Sequence, residues 1–200
     1  LPQRIVSTTV TTKEIRADVP AAARNKMSAD AAVVYETVAP TMAREGKGFM
    51  IADKKDGTLH VFRSDGSVIA QTSALYGKDF GDQMQKIGNE WNRVTPAGRY
   101  TLSVADDPAY KSGKIFRLTE TYADNAYVAV HAVYLGTPAE QRLARLASKD
   151  PTAKRISYGC INTTDETFLN DLLPNSAELN GGAIFVLPEQ SIAASMFPAE

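Results

Sequence analysis

The sequence is poor in the residues that form disulfides and metal sites. It contains one cysteine, Cys160, and only two histidines, His60 and His131, in 200 residues. A lone thiol cannot form an intramolecular disulfide, and these three side chains show none of the ligand spacings of a zinc site. We therefore expect neither a disulfide scaffold nor a bound metal, and the sequence indicates no other cofactor.

Long apolar runs and an excess of either charge are also lacking. No uninterrupted apolar stretch approaches the roughly 20 residues of a membrane-spanning helix, so no membrane span is expected in this chain. Lys and Arg number 22 against 23 for Asp and Glu, and the net charge of -1 gives no reason to expect nucleic acid as a partner. With 44% hydrophobic residues, the chain can bury one good core.

Most of the chain after residue 46 has the pattern of short strands separated by turns. Strand-like segments occur at 49–53, 58–63, 68–76, 99–104, 114–119, 126–131 and 182–187. Asp56 and Gly57 join the first two, because Asp-Gly supplies the positive φ that hairpin turns require. The pattern predicts a mainly β fold. His60 alternates with apolar neighbours in the second segment, which predicts a surface side chain.

Helical patterns are fewer. Residues 1–25 have no convincing period and are predicted to form an arm. Ser28 is a candidate N-cap for a helix through residue 38, and Pro40 would end or kink that helix. Residues 138–147 are helix formers, and the 3.6-residue period places three apolar residues on one face: Leu143, Leu146 and Ala147.

Cys160 and His131 form a minimal pair for nucleophilic catalysis. His131 ends the strand-like segment 126–131, and Cys160 follows Gly159 in a short loop. A free cysteine has a pKa of about 8.5, and a neighbouring imidazole increases its reactive thiolate fraction. Thr163 and Glu166 have the spacing of a capping box, so a helix N-terminus just after Cys160 is expected to favour the thiolate. The pattern indicates acyl transfer, with a buried, unreactive thiol as the alternative.

Three blocks together resemble a known family. They are the segment Ser157 to Asn162 around Cys160, the strand histidine His131, and Thr95-Pro96-Ala97-Gly98-Arg99-Tyr100 upstream. In this order they are similar to the YkuD-type L,D-transpeptidase catalytic domain over residues 46–189. The resemblance implies a β-sandwich with a few short helices. It divides the chain into an N-terminal arm and helix at 1–45, a catalytic domain at 46–190 and a tail at 191–200.

The sequence departs from the family pattern at three places. Tyr158 stands where many relatives carry a second histidine, and Ala132 stands where a glycine often follows the catalytic histidine. Cys160 follows His131 by 29 positions, an interval longer than expected for the family. The helical segment 138–147 lies in this interval and is interpreted as an insertion that reshapes the cleft.

The resemblance also implies a reaction and a set of site residues. Cys160 would attack a peptidoglycan stem peptide, with His131 as the base and the Ala132 carbonyl orienting the imidazole. Amides near Gly159 and Cys160 would hold the oxyanion. Four further residues are candidates for substrate contacts: Arg155, Ser157, Tyr158 and Asn162. The implied setting is the periplasm or cell envelope of a bacterium, with any signal peptide outside this chain.

Other functions stay open at this point. The same Cys160 and His131 pair could let water resolve the thioester, which would give an L,D-carboxypeptidase or a cross-link hydrolase. A catalytically silent peptidoglycan-binding domain is favoured if Tyr158 and the long insertion misplace the histidine. A papain-like peptidase is disfavoured, because here the cysteine comes after the histidine and no matching local signature surrounds it.

Overall fold

The structure is a computed structural model that describes residues 19–119 and 127–198. Its strands are β1 (Phe49–Asp53), β2 (Thr58–Phe62), β3 (Val68–Ser73), β4 (Tyr76–Gly77), β5 (Lys86–Ile87), β6 (Glu90–Trp91), β7 (Gly98–Asp106), β8 (Lys114–Leu118), β9 (Val128–Ala132), β10 (Arg155–Ser157), β11 (Ile161–Thr163) and β12 (Ala183–Val186). Its helices are α1 (Ala21–Arg24), α2 (Ala29–Glu45), α3 (Arg142–Ala147), α4 (Asp165–Thr167), α5 (Ser176–Leu179) and α6 (Ala193–Met196).

Eight strands form one sheet that bends along β7. The strand order is β11-β9-β8-β7-β12-β1-β2-β3, while β4 pairs with β10 and β5 with β6 in two small ladders. The first residues of β7 pair with β12, and the rest of β7 pairs with β8. One core contains apolar side chains from both halves of the sheet, including Met50, Leu59 and Val61 from one half and Phe116, Val130 and Ile161 from the other. The prediction of a mainly β sandwich with short helices is confirmed.

A second core lies between the sheet and α2. Tyr35 of α2 packs against Phe62 with ring centroids 4.7 Å apart, and Phe49 stacks on Phe62 at 5.0 Å. Ser28 caps the helix as predicted, because its hydroxyl accepts the amide of Ala31 at 3.1 Å. Residues 19–45 therefore pack on the sheet. Of the arm predicted at 1–25, residues 1–18 lie outside the described residues, whereas the remainder includes α1, in which Ala23 is buried.

Pro40 does not end the helix, which was one of the two outcomes predicted for it: α2 continues to Glu45 and ends at Gly46 with a left-handed φ of 64°. A proline inside a helix costs about 3 kcal/mol. Val38, Ala39 and Met42 are buried around it, and the burial of such side chains offsets a cost of that size.

Two further predictions are corrected by burial. His60 is 1% exposed, because β2 lies between β1 and β3. Gln71 and Thr58 hydrogen-bond its two ring nitrogens at 3.1 Å. The tail predicted at 191–200 is not separate from the domain over its described residues, since Phe197 joins the second core and packs edge-on to Phe185 at 5.5 Å.

Candidate active site

Cys160 lies at the entrance to β11, beside the strand that carries His131. β11 runs parallel to β9, with Asn162 opposite His131 and Ile161 opposite Val130. The backbone amide of Ala129 lies close enough to the Cys160 sulfur to lower the pKa of the thiol. Cys160 and Ala129 each precede the Asn162–His131 pair by two residues, which is about 7 Å of strand. The thiol and the imidazole therefore belong to one corner of the sheet.

The protonation state of the His131 ring follows from its partners. The guanidinium of Arg142 only donates, so the Asn162 atom 2.7 Å from Arg142 Nη1 is the amide oxygen. The other end of that amide, Nδ2, then faces His131 Nε2 at 3.2 Å and donates to it. The remaining nitrogen, Nδ1, donates to the carbonyl of Ala132 at 2.7 Å. His131 is therefore neutral, with its proton on Nδ1.

This network leaves the imidazole and the thiol unbonded to each other. The lone pair of His131 Nε2 is occupied by Asn162, and no hydrogen bond within the described residues joins His131 to Cys160. The Ala132 carbonyl makes the contact with His131 that the family resemblance implies. The proton transfer between Cys160 and His131 stays a prediction.

Burial keeps both groups uncharged. Burial, with a smaller contribution from the charge of Arg142, lowers the pKa of His131 to about 4, against the opposing effects of the Ala132 carbonyl and Asp107. Burial also raises the pKa of the half-buried Cys160 thiol, against smaller lowering effects of the Ala129 amide and Arg142. Arg142 and Asp107 act on both groups, and the Tyr110 ring lies 4.0 Å from the imidazole. At neutral pH the pair is a thiol and an imidazole.

The helix expected to favour the thiolate does not begin beside Cys160. The three residues of β11 follow the cysteine, and α4 begins at Asp165. The N-cap is Thr164, whose hydroxyl accepts the amide of Thr167 at 3.1 Å, while Thr163 lies buried in β11. The capping box predicted at Thr163 is therefore wrong by one residue. The partial charge of a helix end acts within about one turn, so the pKa of Cys160 depends on other groups.

The loop before Cys160 is fixed by bonds within the protein. Ser157 Oγ donates to the Cys160 carbonyl at 2.6 Å and accepts the Gly159 amide at 3.1 Å. Gly159 has a φ of 121°, and a Cβ there would lie 2.9 Å from the carbonyl oxygen of Val94. The glycine is therefore required by close packing against Val94. Its amide is already used by Ser157, contrary to the expectation that it holds an oxyanion.

Three of the four predicted substrate contacts are turned inward. Asn162 is 0% exposed and both ends of its amide are engaged, so in this arrangement it offers nothing to a substrate. Arg155 forms a buried ion pair with Glu189 and lies 4.5 Å from the Phe80 ring centroid, so it is structural. Ser157, 2% exposed, is likewise committed to the loop.

Tyr158 is the predicted substrate contact that remains accessible. It is 64% exposed, and the Arg93 guanidinium lies over its ring at 4.0 Å. This places a cationic and aromatic pair on the surface beside the cysteine loop. A role for Tyr158 in binding stays a prediction.

Arg142 is the site residue that sequence reasoning missed. The helix α3 occurs within the predicted segment, but Leu143 is 52% exposed whereas Arg142 and Leu146 are buried. Residues four apart share a helix face, so the spacing of Arg142 and Leu146 could have indicated that Arg142 lies on the buried face of the helix. The segment 138–147 thus contributes to the site from the buried face of α3.

Two classes of feature are absent from the described ranges. Within residues 19–119 and 127–198, no three His, Cys, Asp or Glu side chains lie where they could hold a metal ion. No helix in the same ranges is long and apolar enough to cross a membrane.

Comparison with known proteins gives structural likenesses alone. No protein-family model matches the sequence, and no curated protein matches it. The chain resembles the solved structure of the helical cell shape determining protein Pgp2 from Campylobacter jejuni, at 17% identity over 73% of this chain and a TM-score of 0.47. It also resembles an L,D-transpeptidase from Mycobacterium smegmatis, at 22% identity over 70% of this chain and a TM-score of 0.41. A third similar structure is the L,D-transpeptidase from Xylanimonas cellulosilytica, at 16% identity over 70% of this chain and a TM-score of 0.37. The chain spans 48%, 58% and 60% of the length of these three structures, respectively.

Proposed function

We propose that this protein is a peptidoglycan L,D-transpeptidase that uses Cys160 as its nucleophile. The observation that carries the proposal is the position of the half-buried Cys160 at the start of β11, beside the strand in which the Ala132 carbonyl holds Nδ1 of His131. A thiol beside an oriented imidazole is the arrangement that cysteine-dependent acyl transfer requires.

In the first step, the Cys160 sulfur attacks the carbonyl carbon between the third and fourth residues of a tetrapeptide stem. His131 takes the thiol proton and delivers it to the leaving nitrogen, so the carbon–nitrogen bond breaks and the terminal D-amino acid departs. A thioester remains on Cys160.

In the second step, an amine of another stem attacks the thioester. His131 removes a proton from that amine, the carbon–sulfur bond breaks, and the proton returns to the Cys160 sulfur. A new amide joins the two stems, and the enzyme is regenerated with no net oxidation or reduction. If water attacks instead, the same intermediate gives a carboxypeptidase or a cross-link hydrolase.

The neutral state of both groups shapes the first step. Because burial disfavours both the thiolate and the imidazolium, the proton moves to His131 as the sulfur attacks, without a stable ion pair beforehand. His131 Nε2 must also lose its hydrogen bond from the Asn162 amide before it can accept the thiol proton. Substrate binding at the cleft is the event that we expect to drive this exchange.

The oxyanion donors have to come from amides other than that of Gly159, which Ser157 uses. The amides of Tyr158 and Cys160 are the candidates at this loop. One such donor typically contributes about 2.7–4 kcal/mol to lowering the barrier. The partner in this scheme is a peptidoglycan stem peptide, and the place of action is the bacterial periplasm or cell envelope.

A silent peptidoglycan-binding domain is the second candidate. The engagement of His131 Nε2 by Asn162 and the Tyr110 ring against the imidazole favour it, because both restrict the base. In that case the cleft would bind stems without forming the thioester.

Product analysis on purified muropeptides tests the proposal. Joined stems with loss of the terminal D-amino acid support transfer, and tripeptide alone supports hydrolysis. Cys160→Ala should abolish both products. Binding without either product in the wild-type protein would favour the silent domain and overturn the transferase.

A further inference from the structure

The inserted helix α3 is connected to the histidine by a buried chain of hydrogen bonds. Arg142 on α3 donates to Asn162 at 2.7 Å, and Asn162 donates to His131 at 3.2 Å. These three side chains are 8%, 0% and 3% exposed, respectively. Water therefore has little access to these hydrogen bonds.

Arg142 is itself held in place. Its Nε donates to the Glu140 carboxylate at 2.6 Å, which fixes one edge of the planar guanidinium. The charge of Arg142 is thus balanced by Glu140, while Nη1 remains directed at Asn162. A fixed donor at this position dictates which way the Asn162 amide faces.

The Asn162 amide at Nε2 and the Ala132 carbonyl at Nδ1 together set the tautomer of His131. With its oxygen on Arg142, Asn162 presents only N–H groups to the ring, so Nε2 must be unprotonated. Without Arg142, the amide oxygen could turn to the ring and accept a proton from Nε2, in competition with the Ala132 carbonyl that accepts from Nδ1. In that form Nε2 could no longer accept a proton from the thiol.

We propose that Arg142, acting through Asn162, is a positioning residue that holds His131 in the Nδ1-protonated tautomer needed for a base at Nε2. This inference rests on the proposed function for its catalytic consequence, whereas the tautomer can be measured independently. It assigns a role to the inserted segment and replaces the predicted role of Asn162 as a substrate contact.

The test is the protonation state of each His131 ring nitrogen in ¹⁵N-labelled protein, read from long-range ¹H–¹⁵N correlation spectra between pH 5 and 8. His60→Gln assigns the signals. The charged and titratable groups around the ring are Arg142 from α3, Asp107 and Tyr110 from the β7–β8 connection, and Cys160. The wild-type protein should show a protonated Nδ1 and an unprotonated Nε2 throughout.

Two variants change the hydrogen bonds between Arg142, Asn162 and His131 in different ways. In Arg142→Met the two nitrogen signals should approach each other, because both tautomers become populated. Asn162→Asp keeps the shape but places an oxygen against Nε2, so the ring should gain a proton and its titration midpoint should rise by about 2 pH units. Asn162→Asp retains the buried arginine and so keeps the test valid if Arg142→Met does not fold.

Arg145→Met is the matched control. Arg145 lies on the same helix and donates to the backbone carbonyls of Glu140 and Ala153, at 2.7 and 2.8 Å, so its loss perturbs α3 without touching Asn162. The nitrogen signals of His131 should stay as in the wild type. The same shift in Arg145→Met would mean that Arg142 acts by stabilising α3, which would overturn the proposal.

The acylation rate of Cys160 by a carbapenem, measured against pH, gives the catalytic readout. Arg142→Met should lower the rate about 10-fold or more, as loss of the correct tautomer does in other histidine-dependent enzymes. Unchanged nitrogen signals in either folded variant would overturn the proposal, as would a changed tautomer with an unchanged rate profile. If the wild-type protein is never acylated, the proposed function fails, but the nitrogen signals still decide the tautomer.

Discussion

The hydroxyl of Thr95 donates a 2.8 Å hydrogen bond to the carbonyl of Gly159, across 64 positions of sequence. The same oxygen accepts the amide of Gly77 at 2.9 Å. Thr95 is fully buried, so it ties the cysteine loop to two other segments of the chain. The segment that begins at Thr95, one of the three blocks on which the family resemblance rests, therefore supports the loop of the candidate nucleophile.

Thr95→Val should destabilise the protein while keeping its shape. The methyl group replaces the hydroxyl, so the Gly159 carbonyl and the Gly77 amide lose their partner inside the protein. Leaving such groups unsatisfied costs about 1–3 kcal/mol each. Urea denaturation should show a lower free energy of unfolding.

Thr37→Val is the control for this substitution. Its hydroxyl donates to the Val33 carbonyl on an exposed part of α2, where water can replace it. We expect a change within about 0.5 kcal/mol. Equal effects of the two substitutions would contradict the role assigned to Thr95.

The stability of the protein should fall as the pH drops from about 6.5 to 4. Burial lowers the pKa values of His60 and His131 to about 4. Their ordinary value is about 6.5, so in this range the unfolded chain binds protons that the folded protein does not. Each histidine stabilises the fold above pH 6.5 by about 3 kcal/mol, and this contribution is lost as the pH falls through that range. Denaturation at a series of pH values measures the slope.

His60→Gln separates the two histidines. Removing one of the two titrating groups should roughly halve the slope of unfolding free energy against pH between 4.5 and 6. An unchanged slope in this variant would show that His60 is not buried in its neutral form.

Adjacent lysines should differ sharply in their contribution to stability. Lys54 is fully buried and donates to the Gly81 and Thr95 carbonyls at 2.6 and 2.8 Å and to Asp82 at 3.1 Å. Lys54→Met leaves the largely covered Asp82 carboxylate without this cation and should cost about 3–5 kcal/mol. Lys55 pairs with Asp30 on the surface, so Lys55→Met should change the unfolding free energy by about 1 kcal/mol or less. Similar urea midpoints for Lys54→Met and Lys55→Met would contradict the structural role assigned to Lys54.

Much of the fold could be predicted because the strand pattern is local. Alternating apolar segments and the Asp56-Gly57 turn indicate the β1–β2 hairpin, and Ser28 marks the start of α2. What could not be predicted depends on tertiary packing. The helix α2 continues beyond Pro40 because it is buried against the sheet, and His60 is buried because β2 lies between two strands.

The candidate site was predicted in part for the same reason. Cys160 and His131 stand out by their rarity, and the Ala132 contact follows from the family resemblance. The partners of His131 could not be predicted, because Arg142 reaches Asn162 only through the packing of α3. The inward turn of Asn162 and Arg155 is likewise set by contacts between distant segments.

Intact mass after incubation with a carbapenem tests the central claim most directly. A reactive Cys160 should gain the mass of one carbapenem molecule as a single covalent adduct, and Cys160→Ala should gain none. The same experiment on His131→Gln should give a much slower adduct, because the thiol loses its base. A wild-type protein that stays unmodified, or a Cys160→Ala variant that is still acylated, would contradict the account.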